Sequence, residues 1–92
     1  MEQKLEKLMG VYDDALEELM GAQKYINSAD KAEASADKAM YHSMAKQELG
    51  HAHELCAVGD RIAAEDAMLN IVWHHLKKHL SDWRADIERK MN

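Results

Sequence analysis

The sequence predicts an all-α fold with three long helices per chain, and three observations carry that prediction. Proline and threonine are both absent, and only seven of the 92 residues are β-branched. Ala, Glu, Lys, Leu and Met dominate, residues that lose little on entering a helix. Apolar residues recur at steps of three and four, the spacing that stacks side chains along one helical face.

The first helix is expected over about 2–26, where Leu5, Leu8, Tyr12, Leu16, Leu19 and Ile26 keep one face. Asn27-Ser28-Ala29-Asp30 gathers residues that leave or cap helices, so a turn is expected there. The second helix is expected over about 29–58. It opens on a short duplication, Ser28-Ala29-Asp30-Lys31-Ala32 and Ser35-Ala36-Asp37-Lys38-Ala39, whose offset of seven keeps one face constant. Beyond it, Met40, Met44, Glu48, His51, Leu55, Val58 and Ile62 form a seam of about 3.6-residue period. Gly59-Asp60 offers the next break, because glycine ends helices readily and aspartate caps the one that follows. The third helix is expected over about 61–90, with Leu69, Trp73 or Val72, Leu76, Leu80, Trp83 and Ile87 inward.

Length and charge bound the function. Ninety-two residues make one domain, and their 28 large apolar side chains, none of them Phe, make a thin aliphatic core. A partner copy that covers more apolar area is therefore expected. The net charge of −5 works against binding a phosphate backbone, which argues against nucleic acid. Met1-Glu2-Gln3-Lys4 holds no apolar signal region, and no run approaches the ~20 apolar residues of a membrane span. The expectation is a cytoplasmic protein without a membrane partner. Cys56, the single cysteine, reads as a small buried hydrophobe in a reducing compartment.

Chemistry enters through polar residues on apolar stripes. Glu48 and His51 are three apart, which places both on one helix face within reach of one metal ion. They lie on the Met44-Leu55-Val58 seam, where a carboxylate is costly unless a cation or donor compensates it. On the first helix the stripe Leu8, Val11, Ala15, Glu18, Ala22 and Tyr25 is likewise interrupted by one carboxylate. Glu18 is thus the inward candidate, and Glu17, aligned with Asp13, Asp14 and Lys24, the solvated one. Gly21 and Gly50 stand beside the candidates and are expected to permit close helix approach.

These residues resemble the ferritin-like superfamily, in particular its rubrerythrin-type di-iron carboxylate helix pair in a half-length form. The family's first-helix pattern is similar to Glu18, Gly21 and Tyr25. Its second-helix pattern is similar to Tyr41, Met44, Ala45, Glu48, His51, Ala52 and Leu55, with Gln47 standing where a second glutamate is often found. The resemblance spans about half the chain, from Val11 to Val58. It implies metal ligation by Glu18, Glu48 and His51 and an iron-dependent ferroxidase, peroxidase or oxygen-handling activity. Family members usually carry two such helix pairs, whereas a second Glu-x-x-His is absent here. Two copies about a two-fold axis would supply the missing half as a four-helix bundle, with four carboxylates balancing two divalent ions. Iron is the expected metal, two per dimer, and manganese and zinc suit the same ligands.

Two other readings remain open. One is a metal-free helical bundle that oligomerises as a scaffold. The other is a structural zinc site using His51 with His75 or His79, which are themselves four apart. Tyr25 and Tyr41 read as core packing or as electron carriers beside a metal pair, and His42 and His53 as solvent-facing or neighbour-facing.

Overall fold

The computed structural model describes residues 2–91, which form α1 (Glu2–Lys31), α2 (Ser35–Ala63) and α3 (Ala67–Met91). No strand occurs among the described residues, and none of the helices is long and apolar enough to cross a membrane. α1 and α2 form an antiparallel hairpin. Its register is marked by Lys4 Nζ at 2.7 Å from Glu65 Oε2 near one end and by the stacked rings of Tyr25 and Tyr41, 6.4 Å apart, near the other. α3 runs parallel to α1. Tyr12 meets His79 and Lys90 meets Gln23, both pairs offset by the same 67 residues. The result is an elongated body of 50 × 19 × 14 Å, set by helices that rise ~1.5 Å per residue.

The core follows large apolar residues on α1 and α3. Leu8, Leu19 and Ile26 from α1 and Leu69, Trp73, Leu80 and Ile87 from α3 are almost fully buried. Of the two α3 alternatives, Trp73 faces inward and Val72 outward. On α2 the buried line is Ala45, Leu49, Ala52, Cys56, Gly59 and Ala63. This corrects the expected seam. Met44, Glu48, Leu55, Val58 and Ile62 are only partly buried and His51 and Met40 are exposed, so this stripe is the flank of the packed face. The reason is steric: small side chains let α2 press closely on both neighbours, so its centre carries little hydrophobic bulk.

Both expected breaks are corrected as well. Asn27 through Asp30 stay helical because Ala29, buried like Ile26, extends the α1 core line by one turn. The chain breaks at residues 32–34, and α2 begins after an extended Ala34 whose carbonyl accepts from the Asp37 and Lys38 amides at 3.1 Å. Gly59 and Asp60 lie inside α2 rather than at its end. Gly59 is buried under the Trp73 indole, where a Cβ would collide with the ring. Its lack of a side chain serves close approach, not a left-handed turn. The cap expected of Asp60 belongs to Asp66, whose Oδ1 accepts from the Met68 and Leu69 amides at 2.8 and 3.1 Å and opens α3.

Candidate metal centre

Glu18 projects from the middle of α1 toward α2, where Glu48 and His51 stand one turn apart. One ligand atom from each of the three comes within 4.8 Å of the others. No other group of three or more such side chains gathers this way among the described residues. His51 Nδ1 lies 3.4 Å from Glu18 Oε2. The Glu48 carboxyl is held above its ordinary range, first by hydrogen bonding with the Glu18 side chain. Burial and the negative charge of Glu18 act in the same direction, while His51 opposes them.

Gly21 completes the geometry. It faces Glu48 across the helix pair, and a Cβ built on it would stand 2.8 Å from Glu48 Oε2. The carboxylate therefore occupies space that any side chain at position 21 would claim. Gly50 has no comparable neighbour, which corrects the expectation that both glycines serve close approach.

The cluster is open to solvent within one chain. The Glu18 side chain is 27% exposed and that of His51 55%, and no charged side chain is buried among the described residues. The expected burial of Glu48 and His51 is thus not met by a single copy. Glu17 is exposed, as its alignment implied. Elsewhere along α1 and α2, Val11, Tyr25, Leu55, Val58 and Ile62 are half-buried.

The other histidines do not join the cluster. His79 Nδ1 lies 2.7 Å from the Tyr12 hydroxyl, His75 is exposed on α3, and His53 Nδ1 accepts from Arg84 at 3.0 Å. The network of Asp60 with Trp73 Nε1 at 2.8 Å and Lys77 Nζ at 3.0 Å was not anticipated. A buried indole N–H needs an acceptor, which could have directed attention to an aspartate. Nothing in sequence spacing selects Asp60. Comparison with family models, curated proteins and solved structures returns no match.

A carboxylate pair and an imidazole suit a divalent transition metal such as iron, manganese or zinc. The three residues fit such an ion chemically. Their donor atoms are close enough to converge, and a cation there would offset the negative charge of Glu18 that helps to hold the Glu48 carboxyl up.

Proposed function

We propose that the chain is a ferritin-like metal-binding protein in which Glu18, Glu48 and His51 of two copies hold two metal ions, iron foremost, for ferroxidase-type or peroxide- and oxygen-handling chemistry. The observation that carries this reading is the convergence of the three donor groups within 4.8 Å. Half-buried apolar residues on the same two helices, Val11, Leu55, Val58 and Ile62, support the second copy, because a copy that covers them together with the cluster would dehydrate the site and strengthen its electrostatics.

The chain's own groups have distinct tasks. Glu18 and Glu48 would hold the ion through their carboxylate oxygens and supply the negative charge that offsets it. His51 would offer a ring nitrogen from α2, one turn from Glu48. The bound ion would supply the electron or the Lewis acidity that these side chains lack.

Metal analysis and light scattering on protein purified under iron-replete conditions test the proposal. The expected result is a dimer or larger assembly with about one iron per chain. Glu48→Ala should lose the metal and Glu17→Ala should keep it, both with unchanged helical circular dichroism. A metal-free monomer would overturn the reading, a metal-free oligomer would favour the scaffold, and stoichiometric zinc would replace redox chemistry with a structural role.

A further inference from the structure

His53 and His51 are two residues apart on α2, so they point about 200° away from each other around the helix. The flank that carries His53 faces α3. There, His53, Cys56, Asp60, Lys77, Ser81 and Arg84 border a cleft of about 290 Å³. For a chain of net charge −5 this is an unusual surface, with two permanent cations and an imidazole around one carboxylate.

That carboxylate is already engaged. Burial disfavours the Asp60 anion, but bonds from the Trp73 indole and Lys77 outweigh it and hold the carboxyl below its ordinary range. Asp60 thus stays charged and anchors Lys77, whose ammonium meets both its oxygens at 3.0 Å. An ammonium has three N–H donors, so two bonds to Asp60 leave one that Asp60 does not use.

Arg84 is also held, with Nε 3.4 Å from Glu88 Oε1 and Nη1 3.0 Å from His53 Nδ1. Because a guanidinium only donates, His53 Nδ1 must accept, which leaves the ring's hydrogen on Nε2. Lys77, Ser81 and Arg84 follow at steps of four and three and share one face of α3. Burial is the main influence on Cys56 and pushes its thiol up, against the pull of Arg84 and Lys77, so the wall it forms carries no negative charge near neutral pH. The cleft is lined on several sides by residues that can donate N–H or O–H bonds, and its cations stand beside carboxylates, Lys77 on Asp60 and Arg84 near Glu88.

We propose that this cleft binds a phosphate-class oxyanion, with Arg84 and Lys77 supplying charge and Ser81 and His53 supplying neutral donors. The site is separate from the Glu18–Glu48–His51 cluster and does not depend on what that cluster binds.

Inorganic phosphate is the probe, titrated by calorimetry into the full chain after metal has been stripped with a chelator and the chelator dialysed away. Saturable binding of one phosphate per chain is expected at an ionic strength held constant with chloride. Arg84→Gln should weaken it at least tenfold and Ser81→Ala more modestly. Amide shifts in NMR spectra should centre on residues 53, 77, 81 and 84. Should Arg84→Gln disturb folding, the Ser81→Ala titration and the wild-type shift map still decide the question. Phosphate binding that disappears on metal removal, that chloride suppresses equally, or whose shifts centre elsewhere would overturn the proposal. Metal binding at Glu48 is read separately by the metal analysis, so failure of the phosphate site and failure of the metal site are distinguishable.

Discussion

Replacing Gly21 by alanine should separate folding from metal binding, because the same added methyl group acts on both in opposite directions. In a helix interior, Gly→Ala stabilises by about 0.8–1 kcal/mol through backbone entropy. At position 21 the new Cβ would stand 2.8 Å from Glu48 Oε2, and an ordinary contact begins near 3.4 Å. The carboxylate must therefore retreat by about 0.6 Å, or rotate at a cost of roughly 0.5–1.5 kcal/mol. Because the atom displaced is the far end of a flexible side chain, the fold should keep most of its gain. Metal–ligand distances tolerate only about ±0.2 Å, so affinity should fall by roughly tenfold. Gly50→Ala supplies the control: nothing lies within 4 Å of its Cβ, so it should stabilise the chain by a similar amount and leave affinity unchanged. Denaturant unfolding of metal-free protein and competition with a chromophoric chelator measure the two quantities. Equal metal affinity in the two variants would refute the claim that Glu48 reaches its ligating position through the space at Gly21.

Two further predictions concern Glu48 and the α3 cap. Glu48→Gln should stabilise the metal-free protein by about 1 kcal/mol at pH 7, since two carboxylates up to 4.8 Å apart repel by about 0.9 kcal/mol even in water. A carboxyl raised on folding binds more protons folded than unfolded. Wild-type stability from this group is therefore complete below the ordinary 4.5 and is lost as pH rises through the raised value. The advantage of the glutamine variant should accordingly grow across that interval, and a flat difference between pH 4 and 8 in urea unfolding would contradict a raised Glu48 carboxyl. Asp66→Ala should destabilise by about 1 kcal/mol, because Oδ1 satisfies the Met68 and Leu69 amides at the start of α3. An unchanged urea midpoint would show that solvent caps this helix equally well.

Helix number and the inward faces of α1 and α3 were legible because bulky residues mark them. Leu8, Leu19 and Ile26, then Leu69, Trp73, Leu80 and Ile87, repeat at helical spacing and are buried. α2 was misread by one helical position for the opposite reason. Its packed line is Ala, Gly and Cys with a single Leu, while Met44, Leu55, Val58 and Ile62 lie beside that line and carry most of the hydrophobic weight. The breaks at Asn27–Asp30 and Gly59-Asp60 misled because turn-forming residues had tertiary uses: Ala29 is core, Gly59 receives Trp73, and Asp60 anchors an indole and an ammonium.

The candidate site was legible in part. The spacing of Glu48 and His51 is a local property of one helix, and Glu18 was separable from Glu17 by phase alone. Their distances across the pair depend on how far α1 slides along α2, which the small residues of the seam decide and no spacing rule encodes. For that reason Gly21 was noticed, but the side chain it accommodates was not.

Gly21 and Gly59 show how the same steric feature can serve stability in one place and chemistry in another. At Gly59 the vacant side-chain position admits the Trp73 indole, which packs on α2 and donates to Asp60, so α3 is tied down on one flank. At Gly21 the vacant position admits a carboxylate, which gains no packing there and keeps an unfavourable charge beside Glu18. An alanine would be the better residue for folding. A stabilising substitution left unused, at the point where it would displace a candidate ligand, is what a binding requirement in conflict with stability would produce. The bracing by α3 sharpens the contrast, because it occupies the His53 flank of α2 and leaves the Glu48–His51 flank for another molecule. A second copy placed there would cover Val58 and Ile62 and bring its own Glu18, Glu48 and His51 to a site that one chain supplies with only three donors.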